Sequence, residues 1–357
     1  MVSEAAPPID QEKLMAFLNK VVGEFGTIMS GATVVLGEKL GLYRAMADSR
    51  PVQPDELASK TGTNPRLIRE WLVSQAAGGY VEYDPTTQAF VLPPEHAIAF
   101  TDESSPACVV GGYLLVTSLV RDEPHIRDAF RTGKGFPWGE HHVDLFEGTE
   151  KFFRPGYVGN LVDGWLPALR GVTAKLEQGA TVADVGCGHG ASTIIMAKAY
   201  PNSRFFGFDD HAPSIKAARE AADAAGVSDR VTFEVASAQA YPGQGYDLVA
   251  LFDCLHDMGD PVGALKRTSA ALAPDGSVLI VEPMAGERVE DNLNPVGRIF
   301  ASASVLVCTP HALATGNTHL GTTASDEQLR EVSAAAGLTR FRRVTETPFN
   351  RIFEAKL

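Results

Sequence analysis

Cysteine is scarce and scattered in this chain of 357 residues. The four cysteines stand at 108, 187, 254 and 308, with no C-x-x-C pair among them. That excludes a zinc-finger spacing and a dense disulfide framework, so no metal is expected and reduced thiols in a cytoplasmic protein are the simplest reading. Basic charge is also short, with 31 Lys and Arg against 44 Asp and Glu and a formal net charge of -13. Phosphate attraction supplies most non-specific nucleic-acid affinity, so this balance argues against a nucleic-acid partner. No apolar run reaches the roughly 20 residues of a membrane helix, and no membrane association is expected. The opening MVSEAAPPIDQEK has an early acid and no apolar stretch, unlike a secretory signal, and reads as a short arm. No internal repeat is visible. What remains, 45% hydrophobic and 21% charged, is ordinary globular composition, and the length suggests two domains.

The chain is organised around Thr181 to Gly190, TVADVGCGHG. A short apolar run, the acid Asp184, and glycines at 186, 188 and 190 precede an apolar helical pattern from Ala191. This reads as a buried parallel strand, a tight turn and a helix. Glycine brings bare backbone close to a ligand, where a Cβ would block the approach. The first N–H groups of the helix then face that ligand. With Ala191 included, the letters satisfy the loose G-x-G-x-x-G/A dinucleotide pattern, and Asp209 lies about twenty residues on. Alone, this supports a nucleoside-containing cofactor. Three features favour S-adenosylmethionine over a nicotinamide: Asp184 two residues before the first glycine, glycines at every second position, and FDCLHDMGDP after the fourth predicted strand.

These motifs resemble the class I S-adenosylmethionine-dependent methyltransferases, and more closely the small-molecule O-methyltransferases with a winged-helix domain in front. The resemblance covers the chain from about residue 15 onward.

Residues 1–103 read as N-terminal helices and a winged helix. One helix is expected over 11–30, a second over 33–47, a third after Gln53–Pro54, and a fourth capped by Asn64 with Pro65 at its first position. YVEYD and AFVLP then flank a hairpin turn. Arg66 and Arg69 are offset by Glu70, Glu82 and Asp84, a poor face for DNA. The resemblance implies dimerisation instead, hence a homodimer.

Residues 104–176 read as a helical linker that walls a substrate pocket, with a helix break at Pro155. Candidate wall residues are Phe136, Trp138, Phe152, Phe153, Tyr157 and Trp165, and His141–His142 reads as a solvated loop. From 177 to 357 strands and helices alternate. The fold class is α/β: a doubly wound, mostly parallel seven-stranded sheet with a terminal antiparallel hairpin, preceded by a mainly α winged-helix domain. Residues 286–321 interrupt the alternation and read as a lid insertion with a breaker at Pro310.

Ligands of open α/β sheets lie beyond the carboxyl ends of the strands. That places Gly186, Cys187, Gly188, Gly190, Asp209, Asp210, Ser237, Ala238, Asp253, His256 and Glu282 around one site. By resemblance, the glycine turn holds the methionine part of the cofactor and Asp184 orders its amino group indirectly. Asp209 takes the ribose hydroxyls. The third strand is followed by ASAQAY, without the acid many relatives place there, so Ser237, Gln239 or the Ala238 backbone must meet the adenine. His256 of LHDM matches, in part, the HDW sequence whose histidine is a general base, and Glu282 resembles a second acid beside it. Trp138, Phe153 and Tyr157 point to an aromatic or lipophilic acceptor. Two alternatives stand beside methyl transfer: a winged-helix regulator that binds S-adenosylmethionine as effector, and an S-adenosylmethionine-binding enzyme that no longer methylates.

Overall fold

The computed structural model describes residues 8–316 and 318–357; the start of the N-terminal arm and one lid residue, Asn317, lie outside the described residues. The chain divides into two compact units, one ending at Thr117 and the other starting at Ser118.

In the first unit the two helices expected over 11–47 are one continuous helix, Gln11–Lys39, followed by a short helix Leu42–Ala45. No proline interrupts it, and Gly31 and Gly37 serve close packing. A Cβ on Gly37 would lie 2.5 Å from the Trp71 ring. The helix starts where Asp10 accepts the Lys13 N–H at 3.1 Å and stops before Gly41, whose φ of 68° ends the spiral. Helices Pro54–Thr61 and Pro65–Ala77 follow, the latter capped by Asn64, which accepts the Arg66 N–H at 2.9 Å. A small hairpin pairs β1 (Glu82–Asp84) with β2 (Ala89–Val91), helix Pro94–Thr101 follows, and the unit ends within helix Val110–Arg121. Tyr43 stacks on Phe100 at 4.6 Å in the middle of this core.

The second unit is built on seven strands: β3 (Thr181–Val185), β4 (Arg204–Asp209), β5 (Val231–Val235), β6 (Tyr246–Phe252), β7 (Leu272–Pro283), β8 (Arg340–Glu346) and β9 (Asn350–Lys356). Their order is β5-β4-β3-β6-β7-β9-β8. The first five run parallel; β9 is antiparallel to β7 and β8 antiparallel to β9. Both faces are buried, so neighbours along a strand serve different cores. On β6, Leu248, Ala250 and Phe252 join one core and Val249 and Leu251 the other. Both cores are apolar, which is why these strands read as continuous hydrophobic runs.

Two expected breaks are not breaks. Helix Val143–Asn160 runs through Pro155 and passes into a π-helical turn, Leu161–Trp165. In the lid, helix Pro295–Ala303 continues through the π-helical turn Ser304–Cys308 into helix Thr309–Thr315, which has Pro310 in its first turn. Pro310 stands directly after the π-helical turn, whose looser hydrogen bonding accommodates a proline that lacks an N–H. The merged stretch, Pro295–Thr315, has 21 residues and is apolar enough by length and composition to cross a membrane, which the broken reading missed. Here it supplies two residues, His311 and Thr315, to the lining of an internal cavity.

Arg351 on β9 fastens the antiparallel edge. It is fully buried, and it donates to the carbonyls of Pro283 and Ala324 and to Asp326, each at 2.8 Å. Removing one member of such a set leaves buried polar groups unpaired. We expect Arg351→Met to lower unfolding free energy by about 3 kcal/mol, seen as a lower urea midpoint; an unchanged midpoint would rule out this role.

Candidate active site

The strand order reverses between β3 and β6, and a cavity of about 430 Å³ opens beyond their carboxyl ends. Sheet topology therefore fixes its place.

One wall is the glycine turn. Gly186, Gly188 and Gly190 all have positive φ, at 77°, 52° and 78°. A Cβ on Gly186 would lie 2.8 Å from Cys254 Sγ, and one on Gly190 2.5 Å from the Phe233 ring. At Gly188 nothing lies within 4 Å of that position, so its backbone faces open space. Asp184 lies behind the turn, fully buried, and accepts from Ser192 Oγ and Thr193 Oγ1, each at 2.6 Å. It pins strand to helix, and its other oxygen is buried without a partner. Burial pushes its carboxyl up to about 6.

Asp209, at the end of β4, is held from both sides. The Gly188 N–H donates to one oxygen and the His211 N–H to the other, each at 2.9 Å. Both oxygens keep a further lone pair for hydroxyl groups. Burial pushes this carboxyl up to about 6 as well.

Beyond β6, Asp253 has a φ of 50°, strained for a residue with a Cβ. Its carboxyl accepts from Asn350 Nδ2 at 2.7 Å and Tyr157 Oη at 3.4 Å. Burial raises its pKa well above the usual range, and Glu282 adds to the rise. The next turn, Leu255–Asp257, buries His256, whose Nδ1–H donates to Glu282 Oε2 at 2.7 Å. Burial alone would lower its pKa; the charge of Glu282 and the Cys308 thiol outweigh it, and the imidazole holds its proton well above the usual range. Burial raises the Asp257 carboxyl too.

Trp138, Phe146, Phe153 and Tyr157 form the aromatic side of the cavity, opposite the glycine turn in sequence origin. Two bonds clamp their loop to the lid helix: the Phe136 N–H donates to the Pro310 carbonyl at 2.8 Å, and the Trp138 N–H to His311 Nδ1 at 3.0 Å. The second bond leaves His311 Nε2 as the protonated nitrogen of the neutral ring. The lid also meets the β6 loop, where the Gly321 N–H donates to the His256 carbonyl at 2.9 Å.

The structure gathers Gly186, Cys187, Gly188, Asp209, Asp210, Ala238, Asp253, Trp138, Phe153 and Tyr157 in the lining. Asp184, Gly190, Ser237, His256 and Glu282 are not in it. Asp184 and Glu282 are nearly inaccessible, and His256 sits one layer back, with its neighbour Asp257 in front. Among the other wall candidates, Phe136, Phe152 and Trp165 do not line the cavity, and Trp165 is core. His141 is not solvated: it is buried, and its Nδ1–H donates to Asp122 Oδ2 at 2.7 Å, a partner too distant in sequence to be read. His142 instead caps helix Val143–Asn160 by accepting the Asp144 N–H at 3.1 Å. Sequence reasoning missed Phe146, Glu150 and Asp260 as lining residues; no local motif marks them, and only the helix face and loop path bring them in.

A family model described as a methyltransferase domain matches residues 176–332, and one described as an Rv2258c-like winged HTH domain matches residues 29–102. Acetylserotonin O-methyltransferase of Mus musculus is 30% identical over 92% of this chain and 86% of its own length. Trans-aconitate 2-methyltransferase of Paracidovorax citrulli is 34% identical over 30% of this chain, which spans only 40% of that protein. Human N-acetylserotonin methyltransferase, solved in complex with SAM, superposes with a TM-score of 0.72 over 99% of each chain at 16% identity.

The donors and acceptors present fit S-adenosylmethionine. Asp209 offers lone pairs to two hydroxyls, Gly188 leaves backbone clear, and among the described residues six carboxylates but no lysine or arginine line the cavity, which suits a cation. Asp209 must be ionised to accept four hydrogen bonds. We therefore expect S-adenosylhomocysteine affinity to fall as pH drops through about 6, the value to which burial raises Asp209, and Asp209→Asn to bind weakly with a flatter profile. Calorimetric titration from pH 8 to pH 5 checks this, and an unchanged wild-type affinity across that range would refute it.

Proposed function

The chain belongs to the class I SAM-dependent O-methyltransferases with an N-terminal winged-helix domain, and on that premise we propose that it transfers the methyl group to an oxygen of a small aromatic acceptor. When bound, SAM supplies an electrophilic methyl on a cationic sulfur. The glycine turn receives its amino-acid part, Asp209 the ribose, and Ala236, Ala238, Gln239 and Met258 surround the space left for adenine. Asp253, short of cationic partners, takes the ammonium group. Holding nucleophile and methyl in line at short range is the main catalytic contribution.

The observation that carries the oxygen assignment is the buried His256–Glu282 pair at 2.7 Å. A phenol has a pKa of about 10, so its attack gains from proton removal. Asp257 lines the cavity within 4.8 Å of a ring nitrogen of His256. Because the ring holds its proton well above the usual range, we assign the base role to the deprotonated fraction of His256, which takes the acceptor's proton by way of Asp257 while Glu282 orients the ring and stabilises the charge it gains, so turnover should rise with pH. The lining has aromatic rings and acids but no lysine or arginine, which favours neutral or amine-bearing acceptors over carboxylates.

The winged helix offers DNA little. Arg66 pairs with Glu70 at 2.5 Å, and the hairpin strand Glu82–Asp84 is exposed and acidic. The long first helix instead exposes Phe17, Val22, Phe25, Ile28 and Met29, an apolar face that a second copy would cover in a homodimer.

In a screen of phenolic acceptors with labelled SAM, we expect methylated products, slowest for carboxylated phenols. His256→Ala should lower kcat about a hundredfold with S-adenosylhomocysteine affinity retained; full activity in that variant would remove His256 as the base. Phe17→Glu with Phe25→Glu should convert a dimer to a monomer in light scattering, and a wild-type monomer would end the dimer reading.

A further inference from the structure

Cys308 has no task in the mechanism above. It is buried, it belongs to the lid, and its sulfur lies within 4.8 Å of a ring nitrogen of the one imidazole that the mechanism uses. His256, Asp257 and Cys308 each offer one ligating atom, and these three atoms lie within 4.8 Å of one another. Zinc bonds of about 2.0–2.3 Å place tetrahedral ligand atoms about 3.3–3.8 Å apart. Side-chain adjustment of about 1 Å therefore closes the set around an ion.

Three further observations favour a site over chance proximity. The turns that present these residues are both irregular: His256 and Asp257 stand on a 3-10 turn, and Cys308 ends a π-helical turn. Such turns recur at functional positions because they re-aim side chains. Next, His256 already gives Nδ1–H to Glu282 at 2.7 Å, leaving the other ring nitrogen for a ligand bond. A carboxylate behind the imidazole is the usual outer partner of a metal-bound histidine. Finally, Glu282 Oε1 is buried without a partner, so a positive charge nearby would relieve an unpaired acceptor.

We propose that His256, Asp257 and Cys308 bind Zn²⁺, joining the lid to the β6 loop and withdrawing His256 from proton transfer. As the ion binds, the Cys308 thiol and the other ring nitrogen of His256 each release a proton to solvent, as does the Asp257 carboxyl where it is protonated, so the Zn–S, Zn–N and Zn–O bonds all form on deprotonated ligands. Thiolate and Asp257 carboxylate then balance the two positive charges, so the buried ion carries no excess charge. Three protein ligands leave a fourth position open on the side of Asp257, which lines the cavity. The pattern escapes sequence reading because its ligands come from two segments about fifty residues apart. Zinc binding stands on this geometry alone. Its effect on catalysis rests on the methyl-transfer reading and on His256 as base.

The test is titration of the full-length protein with Co²⁺, followed by absorption, and with Zn²⁺ against a chromophoric chelator. One equivalent should bind with a thiolate-to-cobalt charge-transfer band. Cys308→Ala should abolish the band, and Asp257→Asn should weaken Zn²⁺ binding at least about tenfold. Retained S-adenosylhomocysteine affinity shows that each variant is folded. No band in the wild type, or a band that survives Cys308→Ala, overturns the site. Stoichiometric Zn²⁺ should also suppress methyl transfer in the wild type and spare Cys308→Ala. A band without suppression would uphold the site and count against His256 as the base.

Discussion

The approach of the Gly186–Gly190 backbone to its neighbours is the constraint on which the catalytic unit depends. The turn fits between Cys254 and Phe233 with no room for a side chain at Gly186 or Gly190. That closeness sets three things together. Gly188 N–H reaches Asp209, Asp184 reaches the hydroxyls at the start of the next helix, and the crevice between β3 and β6 stays open. Each of these contacts is short and directional, and together they shape the cavity wall.

Electrostatics follow from the same packing. Asp184, Asp209, Asp253 and Asp257 all have carboxyls raised by burial, and no lysine or arginine lines the cavity to offset them. Grouping uncompensated acids costs stability in the ligand-free protein. The same arrangement favours a cationic ligand, whose charge replaces the lost solvation. His256 is the exception: Glu282 keeps its proton on, and the pair sits behind the lining with the lid's Cys308 against it.

The lid works through backbone bonds more than side chains. Pro310, His311 and Gly321 each take part in a bond to a segment that precedes the lid. These bonds explain why Gly135, with φ of 73°, packs where a Cβ would lie 2.3 Å from the Pro310 carbonyl. Loop and lid therefore share one wall, with Trp138 held by His311.

The sequence by itself determined the parallel sheet, the glycine turn, Asp209 and the terminal hairpin. Each rests on local rules: apolar runs for strands buried on both faces, glycine where φ is positive, and an acid at a strand end. Helix continuity through Pro155 and Pro310 was not legible: the π-helical turn 304–308 accommodates Pro310, and Pro155 is carried inside the helix that a proline rule would break. Nor was the depth of His256. Its letters match a motif, but whether it lines the cavity depends on Glu282 and Cys308, brought in by β7 and the lid. The partnership of His141 with Asp122, and the cluster of His256, Asp257 and Cys308, were likewise decided by tertiary structure alone. Local propensity spans a few residues, whereas these contacts join segments that only the folded core brings within bonding distance.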